Sequence, residues 1–146
     1  MITEQPRAWG MIVLVADASR VAALEVTDSQ VREFAPEDDL LVRTNHFCSA
    51  DFRHLAPSIG EYRSTYDRHG RAGEILRERR GRIGMPDLLR ILSDHAEPPL
   101  ESICRHGGDG KSRTYAAVIT CPQDRTMWAL IGNPCEGIQA VGGPGE

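Results

Sequence analysis

The sequence predicts an α+β domain in which two helices pack on a mainly antiparallel sheet. Three observations predict it. Short strand-like runs fill residues 11–44, helical spacing takes over after Ser49, and strand-like runs return at 114–131 across a tight polar connection.

The first runs are Met11–Ala16, Val21–Val26, Gln30–Phe34 and Leu40–Thr44. Asp17-Ala18-Ser19-Arg20 and Thr27-Asp28-Ser29 separate the first three, and their side-chain oxygens can bind the local backbone in place of ladder hydrogen bonds. An antiparallel meander follows. Alternation along the second run puts Val21, Ala23 and Glu25 on one face and Ala22, Leu24 and Val26 on the other.

The first helix is expected from about Ser64 to Arg80, with Ile75 and Leu76 turned to the core and Gly70 and Gly73 weakening it. The second is better marked. Pro86 suits a first turn, Asp87 favours the positive helix start, and Leu88, Leu89, Ile91 and Leu92 form an apolar stripe ending near His95, before Pro98-Pro99. Strands then recur at Thr114–Cys121 and Thr126–Ile131, joined by Pro122-Gln123-Asp124-Arg125, and Gly132-Asn133-Pro134 ends the sheet. No internal repeat is visible.

A chain of 146 residues has the size of one globular unit, and 40% hydrophobic with 26% charged residues argues against disorder. The expected organisation is an extension over 1–9, one domain over 10–138 and a flexible Gly/Pro tail over 139–146. A net charge of −4 gives no basic footprint. Arg68, Arg71, Arg77, Arg79, Arg80 and Arg82 concentrate positive charge, but no aromatic residues interleave with them, so a solvated helix face is expected rather than a nucleic-acid surface. The longest apolar run, Met11–Ala16, is too short for a membrane span, and Met1–Arg7 lacks the pattern of a signal peptide, so the cytoplasm is the expected compartment.

Cysteines 48, 104, 121 and 135 form no C-x-x-C pair, and free structural thiols are expected. His46, His54, His69 and His106 show no H-E-x-x-H spacing, so neither a metal nor a cofactor is expected. Asp94 and His95, at a helix end, read as capping or dipole-compensating groups rather than an acid–base pair.

Leu41-Val42-Arg43-Thr44-Asn45-His46-Phe47 resembles the strand-ending "TNHF" motif of the penicillin acyltransferase (peptidase C45) family. More follows in matching order: Leu89-Arg90-Ile91-Leu92-Ser93-Asp94-His95, Ser102-Ile103-Cys104-Arg105, a strand from Thr114, and Met127-Trp128 leading to Gly132-Asn133-Pro134-Cys135. Upstream, Val15-Ala16-Asp17-Ala18 resembles the family's strand before a glycine turn, where this chain has Arg20. The resemblance spans about residues 10 to 138, its specificity lying in order and spacing.

The resemblance implies part of an αββα sandwich from an N-terminal-nucleophile amide hydrolase. Such enzymes cleave themselves to expose a cysteine whose thiol attacks an amide, and that cysteine lies upstream of the region matched here. Asn45 would donate its side-chain amide to the tetrahedral oxyanion, against the plainer reading of a turn cap. Arg105 would be the fixed cation near the nucleophile or a substrate carboxylate, against a surface ion pair. Cleavage before Cys48 or Cys104 would create a new N-terminal cysteine, but Cys48 directly follows the Asn45 motif and Cys104 sits inside the Arg105 motif, so using either would displace a neighbouring role.

The chain is therefore expected to be a C-terminal half that contributes to an acyl-amide site while lacking the nucleophile. The alternative is a non-catalytic relative that acts as a binding or interaction module. In either case a half-sandwich exposes an apolar sheet face, which an N-terminal half chain carrying the cysteine, or a second copy, would cover.

Overall fold

The computed structural model describes residues 9–56, 59–95, 102–107 and 112–137. Among these the strands are β1 (Met11–Ala16), β2 (Val21–Val26), β3 (Val31–Phe34), β4 (Ala116–Cys121) and β5 (Thr126–Ile131). The helices are α1 (Ile59–Glu78) and α2 (Met85–Leu92), with single 3-10 turns at Arg53–Leu55 and Pro134–Glu136. All strand pairing described is antiparallel, and the fold class is α+β. The first eight residues, Pro98-Pro99 and the Gly/Pro tail lie outside the described residues. No described helix is long and apolar enough to cross a membrane.

The chain divides into two compact units, Met1–His69 and Gly70–Glu146. The boundary falls inside α1, at Gly70 and shortly before Gly73, where each interior glycine costs roughly 1 kcal/mol against alanine.

The first unit is built on the meander β1-β2-β3. Met11 pairs with Val26 and Ala16 with Val21, so the β1–β2 hairpin closes over the expected Asp17–Arg20 turn. There Asp17 Oδ1 accepts from the Ser19 amide at 2.7 Å, the Ser19 hydroxyl at 2.7 Å and the Arg20 amide at 2.9 Å. The Ser19 bonds, above all, hold the Asp17 carboxyl below its ordinary pKa. Thr27 makes the equivalent turn to β3, its hydroxyl accepting from the Gln30 amide at 3.0 Å. As the central strand, β2 is buried on both faces: Ala22, Ala23, Glu25 and Val26 are all inside.

Leu40–Thr44 is not a strand. Leu40 makes only an isolated bridge to Glu37, across Asp38 and Asp39, whose φ values of 52° and 62° turn the chain back on itself. β-favouring composition needs a neighbouring strand to pair with, and the side chains here are engaged otherwise. Arg43 lies over the Phe34 ring, 4.4 Å from its centroid, and the Thr44 hydroxyl donates to the Thr65 carbonyl at 2.9 Å.

In the second unit, α2 begins at Gly84, whose amide donates to Asp87 Oδ2 at 3.1 Å, with Pro86 in the first turn. It ends at Leu92 rather than at His95. Ile91 is its buried residue, and α2 packs on β4 and on the Pro134–Glu136 turn. β4 and β5 form a hairpin whose turn carries Arg125 at φ 55°. Ile119 and Leu130 are buried on its inner face. On the outer face Val118, Met127 and Ile131 are 55%, 52% and 66% exposed.

Candidate active site

The loop after residue 40 brings Asn45 to a cleft of about 800 Å³ in the first unit, lined among others by Trp9, Met11, Leu14, Phe47 and Arg68. Two contacts to α1 set its position. The Asn45 amide N–H donates to Thr65 Oγ1 at 2.7 Å, and Arg68 Nη2 donates to Asn45 Oδ1 at 3.0 Å. A guanidinium can only donate, so the oxygen of the amide faces Arg68 and the NH₂ group is turned away from it. Among the described residues nothing accepts from Asn45 Nδ2. The exposed side chain thus presents a fixed, neutral donor beside a cation.

Glu25 anchors the other end of the loop from within β2. Its side chain is fully buried, and its two carboxylate oxygens accept from the Cys48 amide at 2.6 Å and the Ser49 amide at 2.9 Å. Arg43 Nε lies 3.8 Å from the same carboxylate. Two backbone donors and a cation satisfy a charge that burial would otherwise make untenable. Sequence reading assigned Glu25 only to a strand face, although one acid among Val21–Val26 was the available signal.

His46 is buried against Tyr66, with ring centroids 4.0 Å apart, and its Nδ1 lies 3.1 Å from both Thr44 Oγ1 and Thr65 Oγ1. Burial first, and the nearby His69 second, hold its pKa below the ordinary histidine value. The ring is a neutral packing element behind Asn45. Thr65, 2% exposed, thus binds Thr44, Asn45 and His46 together, and no sequence motif had singled it out. Cys48 is half-buried, and its burial raises the thiol pKa, which opposes the thiolate form a nucleophile needs.

Arg105 belongs to the second unit, so the two site residues singled out in the sequence are each set by different scaffolds. Its backbone is held on three sides: the amide donates to Thr114 Oγ1 at 3.0 Å, and the carbonyl accepts from Thr114 N at 2.7 Å and Asn133 Nδ2 at 2.8 Å. Asn133 is 1% exposed. Among the described residues no acidic group pairs with the half-buried Arg105 side chain.

The other charged candidates are structural. Asp94 takes a two-pronged contact from Arg71, at 2.8 and 3.0 Å, while its amide donates to the Ile91 carbonyl at 3.1 Å in the last turn of α2. Arg79 lies 3.7 Å from Asp87, so part of the arginine-rich face is spent on ion pairs. His95 stacks on His106, and these two rings gather with Cys104 and Cys135 so that one ligand atom of each lies within 4.8 Å of the others. The sequence showed no such group because its members come from three separated segments. Cys104-Arg105-His106 was the only local hint.

The sequence model for acyl-coenzyme A:6-aminopenicillanic acid acyl-transferase matches residues 1–136. No curated protein matches the chain. With nearly the whole sequence matched, including the Asn45 loop and the Arg105 segment, the chain belongs to the acyl-coenzyme A:6-aminopenicillanic acid acyl-transferase family.

Proposed function

We propose that this chain is the C-terminal portion of a C45-type acyltransferase or linear amide C–N hydrolase. In this reading Asn45 donates to the tetrahedral oxyanion and Arg105 holds a substrate carboxylate, while the cysteine nucleophile comes from outside residues 1–146. The thiol sulfur attacks the amide carbonyl, its proton passes through the α-amine of the same cysteine to the departing amine, and a thioester remains. Water or a second amine then takes the acyl group.

The observation that carries the proposal is the fixed amide of Asn45, polarised by Arg68 and facing a cleft large enough for an acyl-amide. A preorganised donor costs no reorganisation when charge develops on the carbonyl oxygen. The raised pKa of Cys48 and the burial of Cys104 support a nucleophile from elsewhere. The exposed outer face of β4–β5 supports a covering partner, either the half that carries the nucleophile or a second copy. Four free cysteines fit the reducing cytoplasm.

Native mass spectrometry of the protein from its own source, followed by amide turnover by the assembled species, tests this. A species that includes a polypeptide beginning with cysteine is expected, and Asn45→Ala should lower its kcat by about 10²–10³ with assembly intact. Unchanged turnover would remove Asn45 from the mechanism. The chain alone, inert toward amides, would leave a binding module instead.

A further inference from the structure

The geometry points to a structural metal site of the second unit, formed by His95, Cys104, His106 and Cys135 and suited to one zinc ion. His95 Nε2 and His106 Nε2 are 2.9 Å apart, Cys135 Sγ and His106 Nε2 3.2 Å, and Cys104 Sγ and Cys135 Sγ 3.6 Å. All four atoms fall within 4.8 Å of one another. A tetrahedron built from ordinary zinc–nitrogen and zinc–sulfur bonds has edges of about 3.3, 3.6 and 3.8 Å for the same three pairs. These three of the six pairs come within about 0.4 Å of the spacing that the ion would impose, and the remaining three stay within 4.8 Å.

The donor set is specific in kind as well as in spacing. Two thiolates with two imidazoles form a closed, soft, four-coordinate shell, which selects zinc over magnesium or calcium and leaves no position for a reacting water. Its surroundings fit. Asn133 Nδ2 lies 3.5 Å from Cys104 Sγ and can donate to a thiolate, while Glu136 Oε1 lies 3.6 Å from Nδ1 of His106, on the far side of that ring from the ligand nitrogen. A carboxylate in that place favours the tautomer with Nε2 free to bind. His95, His106 and Cys135 are exposed, so the ion has a route in, whereas Cys104 is 1% exposed.

Binding converts two thiols to thiolates and releases two protons to solvent, so the dication and its ligands sum to zero charge. The ion ties three segments together: the stretch that follows α2 through His95, the Cys104–His106 stretch, and the Pro134–Glu136 turn after β5 through Cys135. This proposal is independent of any role for Arg105 in turnover.

The test is cobalt and zinc titration of the full-length protein after chelation under reducing conditions. One cobalt ion per chain is expected, with tetrahedral ligand-field bands and a thiolate charge-transfer band that zinc abolishes. Cys104→Ser and Cys135→Ser should each lose that band, and Glu136→Gln should keep it with roughly 10- to 100-fold weaker affinity. Alkylation of the wild-type protein gives a reading that does not depend on variants folding: zinc should protect two of the four cysteines. Absence of the sulfur band, equal metal binding by both serine variants, or a Cys104–Cys135 disulfide that forms equally fast with and without zinc would each overturn the assignment.

Discussion

Arg68 Nη2 donates to Asn45 Oδ1 across 3.0 Å, joining a helix side chain to a loop residue that lines the cleft. The pair separates orientation from donation. Arg68→Met should leave Asn45 in place but free its amide to rotate. The cost should resemble a lost charge-assisted bond, about 1.5–3 kcal/mol, or ten- to a hundredfold in kcat, below that of Asn45→Ala. Steady-state kinetics of the assembled enzyme check the order of the two variants.

Glu25→Ala should destabilise the first unit by about 3–5 kcal/mol, because it leaves the Arg43 charge and two amides without their acceptor. Glu25→Gln keeps one acceptor and should cost less. Urea unfolding of both variants beside the wild-type chain measures the difference, and a Glu25→Gln midpoint equal to that of the wild type would show that the charge itself contributes nothing.

His46 should make the first unit acid-sensitive. Its folded pKa lies below the unfolded value of 6.5, so the unfolded chain binds the proton first and stability falls as pH drops through 6.5 toward the lowered folded value. Glu25 opposes the shift, while His69, Arg43 and Arg68 reinforce it. The slope should not exceed about 1.4 kcal/mol per pH unit for one proton. Denaturant midpoints between pH 7 and pH 5, compared with those of His46→Gln, isolate the contribution.

Val118→Lys together with Ile131→Glu should leave the β4–β5 hairpin folded, since both side chains stand on its exposed face, at 55% and 66% exposure. If that face is covered by a partner, the double variant should dissociate the native complex while its circular dichroism stays unchanged. Retained assembly would place the partner elsewhere.

What could be read from the sequence was whatever short-range chemistry decides. Asp17 and Thr27 announced their turns because one side chain and the next three residues suffice to make them. Both hairpins and the Pro86 helix start were legible for the same reason. The Leu40–Thr44 strand failed because its residues find partners about twenty positions away, Thr44 and Asn45 on Thr65 and Arg43 on Glu25. Asn45 and Arg105 emerged only through family motifs, and the groups that orient Asn45 carry no motif. The four-residue His/Cys cluster was hidden because spacing rules see ligands within a segment, not across three.

The burial of Glu25 also bears on which structures the chain avoids. β2 has apolar residues inside on both faces, so sliding it by one position against β1 and β3 would cost little in hydrophobic contact. That slip would carry Glu25 to the opposite face, away from the Cys48 and Ser49 amides, and strand a charge in the interior. A single carboxylate thereby acts as the index mark that keeps the strands in register.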